Sequence, residues 1–363
     1  MKNSFGNNIT ITLYGESHGS SVGCVIDGLA SGIPVDENNI NQFLALRRPN
    51  GTISTSRCEA DEFSIKSGVF NGYTTGTPVC IDIPNEDKRS LDYKETANLA
   101  RPSHADYTAN CKYNGYQDYR GGGHFSGRIT AAIVAAGGII IPALKRKGIS
   151  IGTHIKSCGG VEDRGFSDYK ADIELLSNLN FAVLDNSAGS AMQEKIIEAK
   201  NNLDSIGGVL ETAVIGIDAG MGEPWFDSVE SLISHAMFSV PGIKGIEFGA
   251  GFEIANMTGS TANDEFSVNN GSIVTNTNNS GGINGGITNG MPIVFRCAVR
   301  PTPTIGKEQK TINFKTNENT ILAAKGRHDP CIAHRARIVV DSLTAIVIAD
   351  LLTTKYGTDW LAK

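Results

Sequence analysis

The sequence predicts a fold that mixes α-helices with β-strands, in one large domain or two smaller ones. Residues 22–26, 209–217 and 291–299 read as strands between polar turns, and residues 8–14 alternate along a β-branched stretch. That is the period-2 signature of half-buried strands. The apolar stretches 129–144 and 336–356 are too long for strands and read as buried helices. Two segments also look alike, VIDGLASGIP at 25–34 and VIGIDAGMGEP at 214–224. Each lies between an expected strand and an expected capped helix, so an internal duplication is one reading of the pair.

Taken in order, residues 8–14 form a strand that ends in Gly15-Glu16-Ser17-His18-Gly19. A histidine flanked by turn residues is either part of a plain turn or exposed at a strand end for chemistry. Residues 22–26 form the next strand, and 28–34 turn the chain. Asp36 then caps a helix with Ile40, Phe43 and Leu44 on its apolar face. That helix ends at Arg47-Arg48-Pro49, where arginines complement the helix dipole or reach into a pocket. Residues 50–60 read as a polar loop, 63–83 as strands around a turn at 75–78, and 84–100 as a polar connection. A helix runs from Gly127 to about 147, with Pro142 kinking or splitting it.

In the second half, 149–155 is a strand and 160–189 is irregular. Ser190 and Gln193 form a capping-box pattern that opens a helix to about 203. After the strand at 209–217, Asp227 caps a helix to 238. Residues 245–256 read as a strand. Residues 269–290 form a loop dense in Asn and Gly, either a linker or a glycine-lined ligand wall. The strand at 291–299 leads into Arg300-Pro301-Thr302-Pro303-Thr304, and 325–331 is a second polar cluster before the last helix.

The chain of 363 residues is 40% hydrophobic and 19% charged, enough for a sizeable core. Its net charge of -6 argues against a general nucleic-acid binder. The 7 cysteines are scattered with no C-x-x-C pairing, the usage of a reduced, cytoplasmic protein. The N-terminus shows no apolar signal segment. The stretch 129–144 is interrupted by Gly137, Gly138 and Pro142, which argues against a membrane span.

The segment 101–128 concentrates the chemistry. Gly121, Gly122 and Gly123 run together, and Gly127 lies just ahead of a long helix. Glycines let backbone N–H groups approach a ligand, and a helix start favours anions. Alone, such a run is ordinarily an exposed loop. With Arg101, His104, Arg120, His124 and Arg128 around it, a site for a small anion is the stronger reading. No Walker A pattern occurs, and no G-x-G-x-x-G follows a strand; the nearest approach is Gly121 to Ser126.

Taken together, GESHG (15–19), RPSHADYT (101–108), YRGGGHFSGR (119–128) and GRHDPC (326–331) resemble chorismate synthase. SIGG (205–208), GMGEP (220–224), IKGIEFG (243–249) and GGINGGI (281–287) extend the resemblance over nearly the whole chain. It implies an α+β fold, a β-α-β sandwich with helices between antiparallel sheets and an internal pseudo-duplication, in a single catalytic domain over 1–363. It implies a carbon–oxygen lyase that eliminates phosphate, 1,4-anti, from 5-enolpyruvylshikimate 3-phosphate to give chorismate. Reduced FMN is the implied cofactor, with an external flavin reductant, an association with NADP and a homotetrameric assembly. The implied catalytic residues are His18 beside the flavin, His104 as acid for the departing phosphate, and Asp329 for removal of the ring proton. Ser17, Arg47, Arg101, Arg128 and Arg327 are implied to hold the substrate. His124, Phe125, Ser126, Pro241, Gly242, Gly285, Arg300, Pro301, Thr302, Pro303, Thr304 and Arg327 are implied to contact FMN.

The chain departs from the family pattern at His124-Phe125-Ser126, often R-S-S, and at Pro241-Gly242, often Asn-Ala. A further family arginine falls at Thr52 or Ile53, so either Arg57 takes its place or this chain does without it. Two rival classes are weighed against this reading. His328, Cys331 and His334 have spacings compatible with zinc, and a non-enzymatic anion-binding module is the other.

Overall fold

The computed structural model describes residues 2–49, 51–55, 59–86, 97–177, 179–323 and 329–363. In the first half, β1 (Ser4–Phe5), β2 (Thr10–Gly15) and β3 (Ser21–Asp27) lead into α1 (Glu37–Arg47). Asp36 caps α1 through the N–H of Asn38, as the sequence predicts. Then come β4 (Ser64–Ser67), the small hairpin β5 (Val69–Phe70) and β6 (Tyr73–Thr74), and β7 (Val79–Pro84). The short α2 (Asp106–Lys112) and the long α3 (Thr130–Arg146) follow. On β7 the alternation is plain: Val79, Ile81 and Ile83 are buried while Cys80 and Asp82 face the other side.

The second half opens with β8 (Ser150–Cys158) and β9 (Val161–Glu162), then α4 (Tyr169–Ser177) and α5 (Asn186–Asn201). Next come β10 (Gly208–Ile215), α6 (Val229–Met237), β11 (Ile243–Phe248) and the one-turn α7 (Gly259–Ala262). The hairpins β12 (Phe266–Asn269) with β13 (Ser272–Thr275) and β14 (Ile283–Asn284) with β15 (Ile287–Thr288) precede β16 (Ile293–Val299). A last hairpin, β17 (Gln309–Asn313) with β18 (Glu318–Leu322), precedes α8 (Ala333–Tyr356).

Two antiparallel five-stranded sheets, ordered β1-β2-β3-β7-β4 and β11-β16-β10-β8-β9, enclose the long helices. Helix α3 packs on α1, β3 and β7, and α8 packs on α6, β8 and β10. The two long helices pack on each other between the sheets. This is the α+β sandwich that the resemblance implies. The duplication shows in the chain order. The first half runs β2, β3, α1, β4, β7, α3, and the second runs β8, β10, α6, β11, β16, α8. In each, the second strand is central, the third is the edge, and the fourth returns between them.

Helix α3 is unbroken through Gly137, Gly138 and Pro142. By length and composition the segment Gly127–Arg146 could cross a membrane, so those three residues do not disqualify it. What places it here is burial, since 83% of its apolar window lies inside the protein. Its adjacent glycines serve different neighbours. A Cβ on Gly137 would lie 2.2 Å from Ser342 Oγ of α8, and one on Gly138 would lie 2.8 Å from Ile40 Cα of α1. Overpacking of this kind costs about 1–3 kcal/mol. Gly138→Ala is therefore expected to destabilise the fold by about that amount in chemical denaturation. Unchanged stability would show that α1 can move aside.

Several sequence expectations are corrected. Residues 160–189 are not irregular, because α4 lies among them and α5 starts at Asn186, capped by Asp185 rather than opened at Ser190. Ser228, not Asp227, caps α6 by accepting from Ser231 N–H. The strand expected over 245–256 ends at Phe248, and a 3-10 turn, Gly251–Asn256, follows. The Asn/Gly stretch 269–290 is largely hairpin rather than loop.

Candidate active site

A cavity of about 1540 Å³ opens where helix ends converge. It is lined by the C-terminal ends of α1 and α6, through Arg47, Arg48, His235 and Val240. The starts of α3 and α8 line it through Gly127, Arg128, Ile332 and Arg335. Equivalent elements of the two halves thus meet around one space. Single small-molecule sites typically span about 300–1,000 Å³, so this cavity has room for more than one ligand.

The glycine run is a clamp on the His18 turn. Ser17 N donates to Gly123 O at 3.1 Å. Ser17 Oγ donates to Gly121 O at 3.0 Å and lies 3.0 Å from His18 Nδ1. His124 Nδ1 donates to Gly15 O at 2.7 Å. Gly121 has φ +60, and a Cβ there would fall 2.2 Å from His18 Cε1, so only glycine lets this loop lie against the imidazole. The buried Asn85 closes the turn from the other side, its Nδ2 donating to Glu16 O at 2.9 Å and Gly19 O at 3.1 Å.

Asp61, with a fully buried carboxylate, gathers the arginines. It accepts from Arg47 Nη2 at 2.8 Å and from Arg128 Nη1, and Arg48 Nε lies 3.7 Å away. Burial works to raise the Asp61 pKa, but the Arg47 and Arg128 guanidiniums outweigh it and hold the carboxyl below its ordinary value. Burial also pulls Arg47 down, against the opposing attraction of Asp61. Arg128 is heavily committed, with Nε on Asn85 Oδ1 at 2.9 Å and Nη2 on Pro84 O at 3.0 Å. Arg335 Nε donates to Arg47 O at 2.8 Å, and its Nη1 pairs with Asp329 Oδ2 at 2.5 Å. Asp329 Oδ1 accepts from Thr55 N at 2.9 Å.

On another wall, Arg101 holds Asp106 through Nε at 2.9 Å and Nη2 at 2.7 Å. His104 sits between Pro102 O, 3.1 Å from Nδ1, and Thr304 Oγ1, 2.8 Å from Nε2. Burial first, and the charge of Arg101 next, push the His104 pKa down to about 4. The imidazole is therefore neutral at pH 7, contrary to the near-neutral titration expected of a free histidine. With Nδ1–H donating to Pro102 O, Nε2 accepts from the Thr304 hydroxyl. Arg300 N donates to Gly242 O at 2.9 Å, which ties the turn at Pro241 to the 300–304 segment.

The cavity lining thus includes His18, His104, Asp329, Arg47, Arg101, Arg128, His124, Phe125, Ser126, Pro241, Gly242, Arg300, Thr302, Pro303 and Thr304. Ser17 is behind His18 rather than on the lining, and Pro301 turns toward Gly207. Gly285 stands apart from the cavity, at the turn between β14 and β15. Arg327, Arg57 and His328 lie outside the described residues. Of the zinc candidates, His334 Nε2 bonds Ser54 Oγ at 2.9 Å, and Cys331 Sγ is 3.7 Å from Cys158 Sγ. Sequence reasoning missed Asp61, Asn85 and Arg335. A carboxylate close behind an arginine-rich helix end was the available signal for Asp61.

The comparisons with known proteins agree with one another. The profile of the family described as chorismate synthase matches residues 9–353. The chain is 45% identical to the chorismate synthase of Lachnoclostridium phytofermentans over 96% of its own length and 94% of the relative's. It is 44% identical to that of Thermococcus kodakarensis over 99% of each chain. A solved structure described as a crystal structure of chorismate synthase superposes with a TM-score of 0.77 at 29% identity, covering 98% of this chain and 95% of that one.

Proposed function

The chain belongs to the chorismate synthase family of carbon–oxygen lyases, and from that premise we propose that it eliminates phosphate from 5-enolpyruvylshikimate 3-phosphate with reduced FMN. The observation that carries the proposal is the convergence of His18, His104, Asp329 and the arginines on one cavity large enough for cofactor and substrate together. The whole chain, 1–363, acts as one catalytic unit, since both halves supply the lining.

The cavity's polar groups fit a flavin. Arg300 Nε and Thr302 Oγ1 are buried without hydrogen-bond partners, on the segment that would hold the group. His124, Phe125, Ser126, Pro241, Gly242, Pro303 and Thr304 complete that wall, with Arg327 carried as a family match. When bound, reduced FMN supplies electron density to the substrate ring as phosphate leaves. The remaining work falls to the chain. Arg47, Arg101 and Arg128 present donors to carboxylate and phosphate oxygens, with Arg48 beside them and Asp61 holding the Arg47 and Arg128 guanidiniums in place. His104 Nε2 carries the proton for the departing phosphate. Asp329, paired with Arg335, accepts the ring proton directly or by relay. His18, held rigid by the glycine clamp, faces the cofactor.

A cytoplasmic setting accords with the unpaired cysteines 24, 80, 111, 158, 297 and 331, and an external reductant is proposed for the flavin. A homotetramer accords with Trp225, Phe226, Phe252 and Val268, which are 85%, 90%, 82% and 76% exposed. The deciding experiment is anaerobic chorismate formation from the phosphorylated substrate, with and without reduced FMN. No product with the flavin present would end the proposal. Gly121→Ala tests the clamp. Displacing an active-site group by ~1 Å can cost ~10²-fold, and a fall of that order is expected with the fold intact. Wild-type turnover in that variant would show that His18 needs no such support.

A further inference from the structure

A single line of hydrogen bonds runs through the arginine wall and joins the two ends of the site. It begins at the His18 turn, where Asn85 Nδ2 holds Glu16 O and Gly19 O. Asn85 Oδ1 accepts from Arg128 Nε, and Arg128 Nη1 donates to Asp61. Asp61 accepts from Arg47 Nη2, Arg47 O accepts from Arg335 Nε, and Arg335 Nη1 ends on Asp329. Among the described residues of this line, Asp61 is the one acceptor that receives two guanidiniums, and its side chain is fully enclosed. Its backbone sits at φ 55, in the left-handed region that non-glycine residues seldom adopt. Asp61 lines the cavity, yet both its oxygens are taken by arginines, so it is placed to hold donors rather than to touch a ligand.

We infer that Asp61 is a positioning residue for this lyase, the counter-ion that fixes Arg47 and Arg128 for the anionic substrate and ties the His18 turn to Asp329. The inference rests on the reaction proposed above. With Asp61 in place, the two guanidiniums cannot swing apart. Arg47 Nε, buried and without a partner, is left as a donor beside the cavity. Without it, like charges repel and the fork opens.

The test compares wild type, Asp61→Asn and Asp61→Glu in anaerobic assays with reduced FMN, together with flavin titration and melting curves. Wild-type product formation checks the proposed reaction separately. Asp61→Asn removes the charge, and Asp61→Glu keeps it but moves it by one methylene. Both are expected to raise the substrate KM by at least about tenfold, while flavin affinity stays within about threefold. Glu is expected to restore the melting temperature but not the KM. Where Asp61→Asn does not fold, Asp61→Glu alone decides. Unchanged KM and kcat in a folded Asp61→Glu would overturn the inference, as would a loss confined to melting temperature or to flavin affinity.

Discussion

His104→Ala is expected to cut turnover by about 10²–10⁴ at saturating reduced FMN, the loss typical of a removed general acid. The structure adds a condition to that role. With a pKa near 4, His104 carries no proton at Nε2 at neutral pH in the ligand-free protein. Burial and the charges of Arg101 and Arg300 keep it neutral. A phosphate dianion entering beside it would offset those charges and favour the imidazolium. If His104 is the acid, the substrate that needs it thus makes it. NMR titration should show the His104 pKa rising when the phosphorylated substrate binds; an unmoved pKa would leave the departing phosphate without this donor. The sign for stability is also fixed. The folded pKa lies below the ordinary 6.5, so the unfolded chain binds the proton first as pH falls. This site therefore costs stability progressively between about pH 6.5 and 4, and His104→Ala should flatten that slope. A melting curve recorded alongside separates a structural histidine, which loses stability, from an acid, which loses rate.

Asp329→Asn is the second large effect. Asparagine keeps the shape and can still accept from Thr55 N or Arg335, but it cannot take a proton. If Asp329 relays the ring proton, turnover should fall by about 10²–10⁴ with FMN and substrate affinity little changed. If it only orients Arg335, the variant should mainly weaken binding. Anaerobic single-turnover kinetics with separate binding titrations distinguish the two. Weaker binding with the chemical step intact would rule out the relay.

What could be read from the sequence follows from how local each signal is. Asp36 sits directly before an apolar helical pattern, and its cap was legible. Asp227 and Ser228 are both good caps, and the choice between them depends on backbone geometry that composition does not carry. The hairpins within 269–290 were hidden because their strands are only two to four residues long and Asn and Gly fill the turns between them. His18, His104 and Asp329 were singled out because they stand in motifs that resemble the family's, and all three line the cavity. Asp61 and Asn85 were harder to single out, because each lies in an ordinary polar stretch and the packed fold decides which residues become its partners. Asn85 reaches Arg128 and Glu16, contacts that only the packed sheets create. Gly285 shows how local a glycine signal is: its position in the turn between β14 and β15 depends on a hairpin that composition does not reveal.

The repeated strand and helix order has a consequence for symmetry. Two identical halves meeting at a seam would offer every group twice, in matched pairs across a two-fold axis. Such a cavity suits a ligand that is itself symmetric, or two copies of one ligand. Here one half delivers the glycine clamp and the His18 turn, while the other delivers Asp329, Arg335 and the 300–304 segment. Joining both halves in one chain frees each to diverge, so the shared space can have a different chemistry at each end. A cofactor and a substrate with unlike faces can then be held together, in one order only.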